Sequence, residues 1–303
     1  MQFRHASLIL FVVFLGTAVL TAIVVERQHE LNEQRAAVLD DIGEPIDVPD
    51  TTQTPAQQID PATLQANQYL STTTDLNTDG VPDTISITVT GDSAEGTTTT
   101  IAINGTSAVF PGTNPEGWFG IVDINTADHE KEIAVSDLGP STDYTTGFYR
   151  FDGSSIQLVG TTQGRYEEIQ FSGNGILSTN TRAKILQTWF YTDGFSLNTD
   201  HKLGHIDQHV YLIDPTTPSA HLTMLQDLSL YTDTTMTTDA IATTLKKGDV
   251  VQFIGCDDVA WCEAKSSAGI LGWFYVEEYS TIVKPGGTKA PAGEVFEGLS
   301  QAD

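Results

Sequence analysis

From Thr84 to Thr90 the chain reads Thr-Ile-Ser-Ile-Thr-Val-Thr, a strict apolar–polar alternation. That period of two is the pattern of a strand with one buried face. Similar runs occupy Thr99 to Ile103, Phe119 to Val122, Glu132 to Val135, Gly147 to Phe151 and Ile156 to Val159. Thr188 to Tyr191 and His209 to Ile213 read as later strands. Asp152-Gly153 and Gly173-Asn174-Gly175 are turn signals between them. The pattern predicts a β domain over residues 66–215, closed by the boundary Asp214-Pro215-Thr216-Thr217-Pro218. A second, shorter β pattern covers 222–283. The last segment, 284–303, holds Pro285, Gly286, Gly287, Pro291 and Gly293 and reads as a disordered tail.

The N-terminal segment has a different period. Leu8 to Val25 is an uncharged apolar run of 18 residues. As a helix it spans about 27 Å, close to the thickness of a bilayer core. Arg4 before it gives a positive-inside bias, so the bulk of the chain is expected outside. Residues 1–27 therefore read as a transmembrane signal anchor. Gly16-Thr17-Ala18 leaves cleavage as the alternative, and both readings export the remainder. Residues 28–65, with Pro45, Pro49, Pro55 and Pro61, read as a stalk or linker.

Charge narrows the choice of partner. The chain has 14 Lys+Arg against 40 Asp+Glu, a net of -26, yet charged residues make up only 18%. Bases are scarce rather than acids abundant. Nucleic-acid binding is excluded as an expectation, because phosphate contacts need clustered Lys and Arg. No Lys or Arg lies between Arg35 and Lys131, a stretch that repels anions and attracts metal cations.

That stretch contains Asp75-Leu-Asn77-Thr-Asp79-Gly80-Val81-Pro82-Asp83. Oxygen side chains at positions 1, 3, 5 and 9, Gly at 6 and a carbonyl donor at Val81 match a Ca²⁺ loop. It is not an EF-hand: position 12 is Ser86 and a strand follows Pro82. The loop resembles the calcium loop of FG-GAP/VCBS repeats, in which such a motif leads directly into a strand. A degenerate second copy is Asp123-Ile-Asn125-Thr-Ala-Asp128-His-Glu-Lys-Glu132, with one residue inserted and no Gly. The alternative for both is a metal-free Asx turn. The resemblance covers about Leu64 to Ile213 and implies propeller blades. About 150 residues supply two or three blades rather than the 4–8 of a closed propeller. A partial propeller or a sandwich is therefore expected.

The C-terminal pattern resembles a bacterial SH3 (SH3b) module. The matching residues are Leu228-Ser-Leu230, Leu245-Lys-Lys-Gly-Asp249, Trp261, Gly272-Trp273 and Glu278-Tyr279. It departs from the family at Tyr231-Thr-Asp-Thr-Thr. The resemblance implies a small SH3-like barrel that binds cell-wall peptides or an envelope partner. Trp261, Trp273, Tyr275 and Tyr279 would line such a groove, or else fill the barrel's core and rim. The only cysteines, Cys256 and Cys262, flank an expected hairpin and are placed to form a disulfide outside the cell.

His201, His205 and His209 recur every four residues, a spacing that offers either a zinc face or separate hydrogen-bonded histidines. No HExxH, GxSxG, Walker, GxGxxG or Ser-x-x-Lys motif is present. The expectation is a non-enzymatic binding protein on the bacterial cell membrane, single-pass and mostly extracytoplasmic, with suspected Ca²⁺. The alternatives are an envelope carbohydrate-active or cell-wall hydrolase with its site in the middle domain, and an adhesin or ligand sensor.

Overall fold

A computed structural model of the chain describes residues 69–92, 96–112, 115–139 and 143–301. The expected anchor and the expected stalk lie outside the described residues. Among the described residues, no helix is long and apolar enough to cross a membrane. The described chain is mostly β, as the alternation predicts.

Three four-stranded antiparallel sheets follow one another along the sequence. The first comprises β1 (Tyr69–Thr74), β2 (Asp83–Asp92), β3 (Gly96–Ile103) and β4 (Thr106–Gly112), paired in that order. The second comprises β5 (Pro115–Val122), β6 (Glu132–Asp137), β7 (Thr145–Phe151) and β8 (Ile156–Gln163). The third comprises β9 (Gln170–Phe171), β10 (Ile176–Arg182), β11 (Phe190–Leu197) and β12 (Leu203–Ile206). Each is a simple meander, which needs only hairpin connections.

A curled half-barrel sheet of ten strands takes up the rest. Its elements are β13 (Tyr211–Leu212), β14 (His221–Met224), β15 (Leu228–Tyr231), β16 (Ile241–Leu245) and β17 (Val250–Cys256). They continue as β18 (Trp261–Lys265), β19 (Leu271–Glu277), β20 (Thr281–Val283), β21 (Lys289–Pro291), helix α1 (Ala292–Val295) and β22 (Phe296–Glu297).

The cores lie between sheets. Ile85, Ile87, Ile101 and Ile103 of the first sheet pack with Ile133, Val135, Tyr149 and Phe151 of the second. The opposite face of the second sheet, Ala134, Phe148 and Val159, packs with Phe171 and Leu177 of the third. Strand β6 is therefore buried on both sides, and its run Glu-Ile-Ala-Val-Ser shows no alternation. The core beyond runs from Ala183 and Trp189 through Leu222, Phe253 and Phe274 to Phe296. This core crosses the expected boundary at 214–218. Tyr211 and Ile213, assigned by sequence to the middle domain, belong to it.

The C-terminal segment corrects the sequence reading. Residues 285–301 are folded, not a tail without structure. Strand β22 pairs with β14, Met224 lying opposite Phe296. Val295 is 0% exposed and Phe296 2%. The Ser300 carbonyl accepts from the Thr188 amide at 2.9 Å, and the Ser300 amide donates to Gln187 Oε1 at 2.9 Å. Few apolar residues do this among many Gly and Pro, so the composition resembles a linker while two side chains close the core.

Phe296 also meets Phe274, with ring centroids 5.5 Å apart. Truncating a buried Phe costs about 3–5 kcal/mol. Phe296→Ala is expected to lower the denaturant midpoint of the whole chain accordingly. A variant that unfolds like the parent would mean that this segment is not part of the core.

Candidate functional site

The two acidic loops occupy equivalent places. Asp75–Pro82 joins the first and second strands of the first sheet, and Asp123–Lys131 joins those of the second. In each, the second residue anchors the loop in a core: Leu76 is 1% exposed and Ile124 0%. In each, the acid that opens the following strand folds back onto that residue's amide. Leu76 N donates to Asp83 Oδ2 at 2.8 Å, and Ile124 N donates to Glu132 Oε2 at 3.2 Å. The carbonyls repeat too. Leu76 O accepts from Lys131 N, and Ile124 O accepts from Gly175 N, both at 2.9 Å. Each donor sits just before the second strand of the next sheet. The third sheet keeps this stacking with only Ser172–Gly175 as its loop, which has no acid.

The first loop is also tied internally. Gly80 N donates to Asp75 Oδ2 at 3.0 Å, Val81 N to Asp79 Oδ1 at 2.7 Å, and Asp79 N to Asn77 Oδ1 at 3.3 Å. Gly80 has φ +80°, a conformation that a side chain would strain. Asp83 is buried and also accepts from Asn104 Nδ2 at 2.7 Å.

Asp75 Oδ1 is buried and accepts no hydrogen bond from the protein, and the same is true of Asp123 Oδ1, its counterpart. A carboxylate oxygen that holds one N–H keeps a second lone pair for a cation, so the donor chemistry suits a hard ion. Among the described residues, however, no three His, Cys, Asp or Glu side chains gather as a metal-holding group. In the second loop Asn125 Nδ2 donates to Asp128 Oδ2 at 2.9 Å. Burial pushes Glu132 up to about 8, with Asp128, Asp123 and Glu130 adding repulsion and the Ile124 amide opposing. Burial, then Asp128, raises Asp123 as well.

The three histidines do not converge. His201 lies 3.7 Å from Glu130, and the His209 ring packs on Trp273 at 5.6 Å. His205 lies between two carboxylates, with Nε2 2.7 Å from Asp193 Oδ1 and Nδ1 2.9 Å from Asp207 Oδ1.

His205 and Asp193 line a cavity of about 440 Å³ that the sequence did not suggest. Its walls come from β7, β8, β10, the β10–β11 connection, β11, β12, β13 and the β17–β18 hairpin, so no spacing in the chain betrays it. One side is an aromatic series. Phe195 meets His205 at 5.4 Å, His205 meets Tyr211 at 6.2 Å, and Tyr211 meets Tyr191 at 4.3 Å. The hairpin tip contributes Asp258, which has φ +56° and whose Oδ1 accepts from Lys184 N at 2.6 Å. Its Oδ2 accepts from Tyr191 OH at 3.3 Å.

That hairpin carries the disulfide. Cys256 and Cys262 face each other across β17 and β18 and are bonded. Closing so short a loop contributes about 2 kcal/mol in the chain-entropy account. It also holds Asp257 Oδ1 under the amides of Val259, Ala260 and Trp261.

Of the four aromatics expected along an SH3b groove, Trp273 is 3% exposed and sits in the interior. Trp261 and Tyr275 are half-buried partners at 5.1 Å, and Tyr279 is 43% exposed. A surface groove can use these three but not Trp273.

Compared with protein-family models, with curated proteins and with solved structures, the chain has no match.

Burial disfavours the His205 imidazolium, but the hydrogen bonds and charges of Asp207 and Asp193 outweigh it and raise the pKa. The stabilising contribution is then fully present below about 6.5, the unfolded value. It is lost as pH rises through the higher native value. An NMR titration is expected to place His205 above a free histidine, and Asp193→Asn to bring it down. A His205 that titrates at or below the free value would contradict this geometry.

Proposed function

We propose that this chain is a membrane-anchored, extracytoplasmic bacterial binding protein. Leu8 to Val25 would serve as the anchor. The three meanders would be blades of a partial propeller stiffened by Ca²⁺, and the half-barrel would be an SH3b-like module for the cell wall or an envelope partner. The observation that carries the proposal is the repeated loop. Two successive sheets place an Asp-x-Asn motif at the same turn, and both first aspartates keep a buried oxygen without a partner.

Asp75, Asn77, Asp79, the Val81 carbonyl and Asp83 would hold the ion in the first loop. Asp123, Asn125, Asp128 and Glu132 would do so in the second. The cation would supply countercharge where the chain has no Lys or Arg for almost a hundred residues, from Arg35 to Lys131. It would also keep Glu132 ionised, which burial alone opposes. The protein's own part is to fix the loop backbone through Leu76, Ile124 and the amide bonds to Asp83 and Glu132.

A ligand present at a hundredfold over its Kd stabilises by about 2.7 kcal/mol. Calcium is therefore expected to raise the melting temperature by roughly 5–10 °C over the value in EDTA. Asp75→Ala and Asp79→Ala should lose most of that increment. Identical melts with calcium and with EDTA would remove the metal from the proposal.

The wall-binding half is tested separately with the full chain held in detergent, because the half-barrel shares its core with residues 183–191. Purified peptidoglycan is expected to retain the parent and to retain a Trp261→Ala, Tyr275→Ala variant several-fold less. If the parent itself is not retained, wall binding is wrong.

A further inference from the structure

The first acidic loop is held from outside its own motif. Asn104 and Gly105 form the two-residue turn between β3 and β4, Ile103 standing opposite Thr106. Both have positive φ, +52° and +90°, as this kind of tight hairpin turn requires. The turn is bonded to the start of β2. Asn104 N donates to Thr84 O at 3.1 Å, and Asn104 Oδ1 accepts from Thr84 N at 2.9 Å. The Thr84 amide thereby fixes which end of the carboxamide is oxygen. Its nitrogen faces Asp83 and donates to Oδ1 at 2.7 Å.

The turn alone does not call for Asn, since Asp-Gly and Gly-Gly also form it. Here an Asp would set a second carboxylate against Asp83. A Gly would remove the partner of both the Thr84 amide and Asp83 Oδ1. A carboxamide accepts from the one and donates to the other at once. At the same place in the second sheet the turn presents Asp152, whose carboxylate accepts from the Ser154 and Ser155 amides of its own turn. The contact made by Asn104 thus belongs to the first loop and is not a property of the repeat.

What Asn104 fixes is the plane of a buried carboxylate. Asp83 is 1% exposed, and its other oxygen accepts from Leu76 N at 2.8 Å. Rotation about the Cβ–Cγ bond of an Asp is ordinarily loose. With an N–H on each oxygen, rotation breaks both bonds. The Leu76 N–H belongs to the same planar peptide unit as the Asp75 carbonyl. Leu76 is pinned in turn by its buried side chain and by its own carbonyl, which accepts from Lys131 N at 2.9 Å. Asp75 Oδ2 accepts from Gly80 N at 3.0 Å, and its buried Oδ1 has no protein partner. A line of contacts therefore runs from Asn104 through Asp83 and the Leu76 amide to the residue that carries the free oxygen.

We infer that Asn104 is a positioning residue of the first acidic loop: it holds the Asp83 carboxylate, and through it the Asp75–Leu76 peptide, in the ion-binding arrangement without touching the ion. The inference rests on the calcium reading above. It adds to that reading a residue 21 positions beyond Asp83 and outside the Asp-x-Asn-x-Asp motif. Side chains that orient metal ligands from behind contribute about 10–100-fold to metal affinity. Asn104 is exposed, which puts its contribution at the lower end of that range.

The test is a calorimetric titration of the full chain, held in detergent, with calcium chloride. Every protein in the series carries Asp123→Ala, which leaves the first loop as the site under study. The parent of the series is expected to bind calcium, and Asp75→Ala to abolish that binding. Asn104→Gly keeps the left-handed turn and removes only the side chain. It is expected to weaken calcium about tenfold at a temperature where circular dichroism shows it folded. Thr97→Val removes the Thr97 Oγ1 to Gly112 O bond of 3.1 Å at the other end of β3 and is expected to leave the affinity unchanged. In the parent, calcium is expected to slow hydrogen exchange at the Leu76 and Thr84 amides together. Equal affinity in Asn104→Gly and the parent overturns the inference and leaves the calcium reading standing. Equal weakening by Thr97→Val, or exchange that slows at Leu76 alone, overturns it in the same way. If the parent of the series takes up no calcium, the inference falls together with the first-loop half of the calcium reading.

Discussion

Each small sheet in this chain has two faces and too few strands to bury either alone. A four-stranded meander of forty-odd residues gains stability only when another layer covers it. The structure meets that constraint by sharing. The second sheet gives one face to the first and the other to the third, and the third passes its outer elements to the half-barrel. In the first two sheets the loop before the second strand enforces the stacking. A buried aliphatic residue pins the loop, and its carbonyl captures an amide of the next sheet. Sheet contact and loop geometry are thus one interaction seen from two sides. Any change that frees Leu76 or Ile124 loosens both a core and an acidic loop.

The same constraint explains which parts of the sequence could be read. Strand β2 was visible because the first sheet has one polar face: Ile85 and Ile87 point inward, and Ser86 and Thr88 do not. The first loop was visible because its turn chemistry is local. Strand β10 was not, because its buried residues include Thr179 and Thr181, whose hydroxyls bond to Gln163 O and Asp193. A strand buried through polar groups leaves no period to find. The strands of the C-terminal segment escaped for the opposite reason. Val295 and Phe296 are fully buried, but two apolar residues among Gly and Pro carry no period either.

The cavity was illegible on different grounds. Thr145 and Val259 are more than a hundred residues apart, and neither belongs to a motif. The histidine spacing and the cysteine-flanked hairpin touch it, and the spacing offers either a zinc face or separate hydrogen-bonded histidines. The structure splits the three histidines among three environments, with carboxylates on both ring nitrogens of His205 alone.

Where the repeat ends, its regularity no longer dictates the surface. The first two sheets meet their successors through equivalent loops. The third meets a half-barrel, which has no loop of that kind to offer. The fit between a repeating layer and a curled one is necessarily imperfect at its rim, and the rim is where the 440 Å³ opening lies. Interiors elsewhere tolerate few voids larger than a water. A gap at such a junction persists without penalty only if it is open to solvent or filled. Its lining then comes under no packing demand and is free to specialise. The His205 carboxylate pair and the hairpin clamped by Cys256–Cys262 are both placed at this one discontinuity. The stacked cores hold buried acids of their own, Asp83 and Glu132, by tying each to a loop amide, so the junction differs from them in its opening and not in its polarity.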